Sequence, residues 1–305
     1  MGLWKARAKE VIRMAEVRIG LIQVKQRGED GYRERCDILL SRARACFEEG
    51  ADIVFFPEAY QYVRDRDIVR DRAKLAETIG SWKCRCAALA KEYGAYLVPW
   101  DYEIEGDRIY NTSYILSREG EEIGRHRKVH LPHDEQKQGF ANGDAFRVFD
   151  LDFGRVGIMI CWDNYFPESA RCLGNAGAQL ILFPLYGDVL KPQWEIKLRA
   201  RAIDSSVYVA SSQIDGYNEG AFTGIVSPDG EVQRRLDRNA ESHAVVSVDL
   251  SRDTVTQTTG NRSYRENIRA YTDRCRRPDA YGNIALPAGD TPWEEIFYGN
   301  VPKIN

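Results

Sequence analysis

Apolar positions along the chain repeat with two periods, and their order predicts the layers of a fold. Residues 17–24 alternate as a buried strand does. Cys36, Leu40, Ala43 and Phe47 then recur at the spacing of one helix face, which Gly50 closes. Residues 52–56 form a short apolar strand stopping at Pro57-Glu58. Leu75, Ile79, Trp82, Cys86 and Leu89 mark a second amphipathic helix ending near Gly94. Residues 96–100, 110–117 and 146–151 read as strands separated by acidic and glycine turns, the chemistry of an antiparallel meander. Residues 155–160 are another buried strand, and beyond Cys161 a helix bracketed by Pro167 and Gly177 leads into the strand 180–184. A helix over 194–205, strands over 207–212 and 222–227, and a Pro228-Asp229-Gly230 turn precede further strands near Val232 and Val245. No linker or repeat interrupts this order, which predicts α/β layers with helices outside and sheets inside, in one domain. From about Arg262 the chain is rich in Arg, Tyr and Pro and reads as an ordered, irregular tail.

Composition narrows the partner. The 305 residues carry 43 basic and 46 acidic side chains, interspersed to a net charge of -3, so no basic face advertises nucleic acid or a membrane surface. A small-molecule partner is expected. The apolar runs 158–161 and 180–185 are too short to cross a bilayer. Residues 1–16 are broken by Lys5, Arg7, Lys9, Glu10 and Arg13, and read as a short amphipathic extension rather than a signal peptide. Seven cysteines without paired spacing point to reduced thiols and a cytoplasmic location. Sequons at Asn111 and Asn261 would matter only in a secreted chain.

Three residues carry candidate chemistry. Cys161 lies at the tip of a buried strand just before a helix, whose N-terminus would lower the thiol pKa and offer N–H groups to an oxyanion. Glu58 also follows a buried strand, at the sheet edge that α/β proteins use for ligands. Lys128 sits in the basic stretch Arg125-His126-Arg127-Lys128, a pattern that alone reads as a solvated face. Taken together, in order, the surrounding segments resemble the nitrilase superfamily of carbon-nitrogen hydrolases. The blocks are Gly50-Ala51-Asp52-Ile53-Val54-Phe55-Phe56-Pro57-Glu58, Arg127-Lys128-Val129-His130-Leu131, and Val156-Gly157-Ile158-Met159-Ile160-Cys161-Trp162-Asp163, the last continuing through Phe166-Pro167-Glu168 and Gly177-Ala178. Arg199-Ala200-Arg201-Ala202 is similar to a further recurrent stretch of that family.

The resemblance implies a four-layer α-β-β-α sandwich, with a hydrolase domain over 17–262 and the tail 263–305 at a subunit interface. It implies Glu58 as general base, Lys128 as oxyanion ligand and Cys161 as nucleophile. A second acid shortly after the lysine block is implied at Glu135, with Gln136 the alternative because the segment lacks the usual Pro before Gly143. Tyr60, Trp162, Asn164, Tyr165, Tyr186 and Asp188 flank these blocks and are candidate substrate-pocket walls. The tail 276–282 resembles that of carbamoyl-hydrolysing and amidase branches, whereas Trp162-Asp163 departs from the Trp-Glu that commonly follows the nucleophile in true nitrilases. No Arg pair follows Cys161, which argues against N-carbamoyl-D-amino-acid hydrolysis. The expectation is hydrolysis of a small amide or N-carbamoyl compound with ammonia release, nitrile hydrolysis or a catalytically silent binding subunit being the alternatives. A Cys-His hydrolase using His126, His130 or His133 is a rival. Pro132 interrupts any metal-binding face among those histidines, and there is no phosphate loop or Gly-x-Ser-x-Gly elbow, so neither metal nor cofactor is expected. A homodimer or larger homo-oligomer is expected, with residues 169–175 and the tail as contacts.

Overall fold

Strand β1 (Val17–Lys25) sets the plan, because its two faces enter two different cores. Val17, Ile19 and Leu21 point to one side, and Ile22 and Val24 to the other. The computed structural model describes residues 16–25, 30–63, 65–187, 193–215, 221–238, 240–251, 255–256 and 266–285. After β1 come α1 (Tyr32–Glu48), β2 (Ile53–Phe55), α2 (Arg66–Arg70), α3 (Arg72–Tyr93), β3 (Tyr96–Val98), β4 (Trp100–Glu105), β5 (Arg108–Leu116), β6 (Glu122–Arg127) and α4 (His133–Lys137). The second half holds β7 (Val148–Leu151), β8 (Gly154–Ile158), α5 (Pro167–Asn175), β9 (Leu180–Leu185), α6 (Gln193–Ser205), β10 (Tyr208–Asp215), β11 (Gly224–Val226), β12 (Val232–Arg235) and β13 (Ser242–Val248).

Hydrogen bonds link these strands in the order β4-β5-β3-β2-β1-β10-β9-β8-β7, with β6 on β5, β13 on β1, and β11 and β12 beyond β10. The two halves are joined in parallel where Val24 and Lys25 pair with Ile214 and Asp215, and β13 pairs antiparallel along β1 from Val17–Val248 to Gln23–Ser242. Elsewhere they face each other: Ile19, Phe55, Val98 and Ile115 of one half share a core with Val156, Ile158, Leu180, Leu182 and Ala210 of the other. The opposite face of the first half packs Val54, Phe56 and Leu97 against Leu39, Cys46, Trp82 and Cys86 of α1 and α3. Ile181, Phe183 and Val209 of the second half pack against Leu173 of α5 and Trp194, Leu198 and Ala202 of α6. The result is the α-β-β-α sandwich. Each fully buried Phe or Leu in these layers contributes about 1.5–3 kcal/mol relative to exposure.

Strand directions decide where chemistry can collect. β2, β1, β10, β9 and β8 are mutually parallel, as is β3 with β2. β5 is antiparallel to β3, and β6 to β5, so β6 runs the same way as β2. The C-terminal ends of β2, β6, β8 and β9 therefore open on one edge of the sandwich, the edge at which α/β proteins gather ligand-binding loops.

Two details depart from the pattern-based expectation. The strand read over 96–100 splits into β3 and β4 at Pro99, which has no N–H for the ladder. The basic stretch 125–128, read alone as a solvated face, is the end of β6: Arg125 and Arg127 point outward to the Glu103 carboxylate, while His126 and Lys128 point inward. In the tail, residues 270–285 form a separate compact unit that contains most of α7 (Ile268–Cys275) and 3-10 turns at Pro278–Ala280 and Gly282–Ala285. These residues are more regular than the sequence suggests.

Asp101 of β4 is an acid inside this framework. Its Oδ1 accepts from the Tyr62 hydroxyl and the Tyr102 amide, both at 2.7 Å, while Oδ2 is buried without a partner among the described residues. Burial pushes its carboxyl up to about 7 against those two hydrogen bonds. The unfolded chain releases this proton near 3.8, so between there and about 7 the folded state binds more protons and stability falls as pH rises, by at most about 1.4 kcal/mol per pH unit. Asp101→Asn is expected to flatten the decline of unfolding free energy between pH 4 and 8. Denaturant titrations giving equal slopes for variant and wild type would contradict the assignment.

Candidate active site

Glu58 leaves β2 into a tight turn in which Ala59 takes a left-handed φ of 60°. The carboxylate is 3% exposed and fully engaged. Oε1 accepts from Lys128 Nζ at 2.9 Å and Asn111 Nδ2 at 2.7 Å, and Oε2 from the Tyr186 amide at 2.9 Å. Lys128, 1% exposed, is held by its own backbone: its N–H donates to the Asn111 carbonyl and its carbonyl accepts from Gly143, each at 2.8 Å. Gly143 must be glycine, because a Cβ there would collide with the Arg127 carbonyl.

Glu135, on α4, completes the cluster. Its Oε1 accepts from Lys128 Nζ at 2.7 Å and from Asn111 Nδ2 at 3.3 Å. Gln136 instead ties its amide to the Leu131 carbonyl at 2.8 Å, so of the two it is Glu135 whose carboxylate meets Lys128. Burial would drive Lys128 toward its neutral form, but the two carboxylates outweigh it and hold the ammonium well above its ordinary pKa. One cation cannot neutralise two buried carboxylates. Burial accordingly pushes Glu135 up to about 7, with Glu58 adding to the rise and Lys128 opposing it.

Cys161 follows β8 at the head of a 3-10 turn, Cys161–Tyr165, with a φ of 43° rarely adopted by residues other than glycine. Its thiol lies in the opposing fields of the Glu58 carboxylate and the Lys128 ammonium. The sequence suggested a helix terminus lowering this pKa. In the structure, burial and then the Glu58 carboxylate raise the thiol well above its ordinary range, and Lys128 offsets this only in part. A short turn has little dipole to set against a nearby carboxylate.

The pocket candidates divide. Trp162 and Tyr165 stack at 4.0 Å beside Cys161, Tyr165 meets Trp194 edge-on at 5.5 Å, and Lys197 Nζ lies 3.4 Å from the Tyr165 ring centre. Tyr186 enters through its backbone amide. Tyr60 is wholly buried in the core beneath the helices, its hydroxyl donating to the Lys25 carbonyl at 3.3 Å. Asn164 is likewise interior, its carbonyl accepting from Arg201 of α6 at 2.8 Å. Asp188 lies outside the described residues. Of the rival histidines, His126 and His130 turn to Asp163 rather than to the thiol, and His133 begins α4. No group of His, Cys, Asp and Glu among the described residues is arranged to hold a metal.

Sequence reasoning missed Asn111. It is 2% exposed, bonds both acids through Nδ2, and accepts the Trp100 indole N–H at 2.6 Å. Its one sequence signal was the sequon, which pointed elsewhere; a side chain so buried cannot be reached for glycosylation.

The carbon-nitrogen hydrolase family model matches residues 18–259, and the chain belongs to that family, within the nitrilase superfamily. A nitrilase of Pyrococcus abyssi is 34% identical over 212 residues, 67% of this chain and 79% of that protein. An omega-amidase, NIT2-B of Xenopus laevis, is 29% identical over 255 residues, 78% of this chain and 89% of the relative. Among solved structures, an amidase from Nesterenkonia sp. superposes with a TM-score of 0.69 at 26% identity, over 78% of this chain and 92% of that one.

Asn111→Ala removes a hydrogen bond to each acid while leaving Glu58, Lys128 and Cys161 in place. A hydrogen bond to a charged group contributes about 1.5–3 kcal/mol, so a loss of about ten- to a hundredfold in turnover is expected. A kcat within twofold of wild type would show that Asn111 does not position these acids.

Proposed function

We propose that this carbon-nitrogen hydrolase is a cysteine amidohydrolase that cleaves a small carboxamide or N-carbamoyl compound and releases ammonia. The observation that carries the reading is the convergence of the three groups: Glu58 is bonded to Lys128, and the fields of both act on the Cys161 thiol. Glu58 takes the thiol proton as sulfur attacks the carbonyl carbon. The developing oxyanion is met by the Lys128 ammonium and by the Trp162 N–H at the start of its turn, where amides have no intrahelical acceptor. Glu58 returns the proton to departing ammonia, leaving an acyl group on sulfur. Water, deprotonated by Glu58, then attacks the thioester, and the proton passes from Glu58 to sulfur, restoring the thiol and releasing a carboxylic acid from a carboxamide or a carbamic acid from an N-carbamoyl compound. Glu135 anchors the ammonium through a second bond at 2.7 Å. Relatives named omega-amidase and deaminated glutathione amidase support an amide substrate. The Pyrococcus relative named nitrilase keeps nitrile hydrolysis as the second reading, since the same thiol can add to a nitrile carbon.

The test is ammonia release across amides, ureido acids and nitriles, followed by replacements on the best substrate. Cys161→Ala and Glu58→Gln are expected to abolish turnover, and Lys128→Ala to lower it on the order of a hundredfold or more. Retained activity in Glu58→Gln, with loss in a His126, His130 or His133 variant that leaves fold and thiol reactivity intact, would hand the base to a histidine.

The reading also has the protein as a cytoplasmic homo-oligomer meeting through α5 and its surroundings. Exposed Ile196 (68%) and Ile203 (51%), seven residues apart on the adjoining α6, support an apolar contact there. Sedimentation is expected to give a dimer or larger species at micromolar concentration; a monomer would count against it.

A further inference from the structure

Behind the nucleophile turn is a buried carboxylate that the proposed chemistry does not use. Asp163 is fully buried and accepts four hydrogen bonds. Oδ2 takes the Ile160 amide at 3.0 Å and His126 Nε2 at 3.4 Å; Oδ1 takes the His130 amide at 2.9 Å and His130 Nδ1 at 3.0 Å. Two of these donors are backbone groups with particular positions. Ile160 immediately precedes Cys161, and His130 lies two residues after Lys128. The Asp163 amide also donates back to the Ile160 carbonyl at 3.0 Å, closing the turn that holds Cys161 at φ 43°. A residue at positive φ stays there only when its surroundings over-determine it, and these bonds supply that constraint.

We propose that Asp163 is a positioning residue that locks the Cys161 turn and the Lys128 loop in one register, and that His126 and His130 hold its carboxylate in place. The assignment rests on the reading of Cys161 as nucleophile. Burial alone would raise this acid, yet the two imidazoles and the Ile160 amide overcome it and hold it below the usual carboxylate range, so four donors meet a full negative charge. His130 is also stacked on Phe166 with ring centres 3.7 Å apart, and its Nδ1 lies 3.5 Å from the Ser169 hydroxyl. Packing and hydrogen bonding at this residue can therefore be separated by choice of substitution.

The test pairs His130→Asn with His130→Phe. Asparagine keeps a side-chain N–H close to the position of Nδ1 and discards the ring; phenylalanine keeps the ring on Phe166 and discards the N–H. Two quantities are read on the full chain: the rate of Cys161 alkylation by iodoacetamide, followed by peptide mass spectrometry to distinguish it from the other six thiols, and kcat and KM for an amide the wild type turns over. If Asp163 positions the nucleophile, the Asn variant exceeds the Phe variant at least fivefold in alkylation rate and kcat, with KM differing less than twofold. An Asn variant no better than Phe in either quantity overturns the proposal. Asp163→Asn leaves one oxygen for four donors and is expected to slow alkylation at least tenfold; a folded Asp163→Asn protein alkylated within threefold of wild type likewise overturns it. Failure of the underlying reading is a separate result, seen when Cys161→Ala retains turnover.

Discussion

An ammonium ion buried among three protein layers would be ruinous alone, since removing a charge from water costs many kcal/mol unless partners replace the lost solvation. Lys128 is kept charged because Glu58 and Glu135 stand 2.9 and 2.7 Å away. Most other features near the site follow from holding those three groups together. Glu58 needs further donors for its lone pairs, which Asn111 and the Tyr186 amide supply. Asn111 needs a donor for its own carbonyl, which the Trp100 indole supplies. The conflict of two buried carboxylates with one cation falls on Glu135, whose carboxyl is pushed up to about 7 by burial, with Glu58 adding to the rise. Removing any one partner leaves a buried polar atom unmatched, so the cluster is cooperative in the sense that its members cannot be varied singly without cost.

The sandwich makes this cluster possible by strand direction rather than by any single contact. Each of the implied triad residues follows the C-terminal end of a strand, and the parallel relation of β2, β9 and β8, with β6 brought into line by two reversals, puts those ends on one edge. The inner core fixes the spacing between halves, because side chains such as Phe55 and Ile158 from facing strands fill one layer. Helices then need only cover the outer faces.

How much of this the sequence disclosed depends on whether a signal was periodic. Buried strands and amphipathic helices were readable because apolar residues recur every two or three to four positions, and Glu58, Lys128 and Cys161 were located through three motif blocks. The inward course at the end of β6 was hidden, since the inward His126 and, just past the strand, Lys128 are as basic as the outward Arg125 and Arg127, so alternation of burial left no alternation of polarity. Asn111 and Asp163 were hidden for another reason. Their partners lie 53 and 33 residues away in sequence, and no local pattern records that Asn111 will meet Glu58 or that Asp163 will meet His130.

The raised thiol pKa has a consequence for how the proposed reaction is organised. In a Cys-His pair the thiolate can form at rest, stabilised by an imidazolium. Here the Glu58 carboxylate raises the Cys161 thiol, so a thiolate would add a second anion to its field. The site therefore favours the protonated thiol over a thiolate at rest. Negative charge then need never accumulate on sulfur: as the S–C bond forms, the proton passes to Glu58 while charge appears on the substrate oxygen, where Lys128 can meet it. Neutralising Glu58 at that moment also frees the ammonium from one of its two carboxylate partners. On the proposed mechanism, the field of Lys128 shifts toward the oxyanion when the oxyanion appears, which is the differential stabilisation of the transition state that catalysis requires.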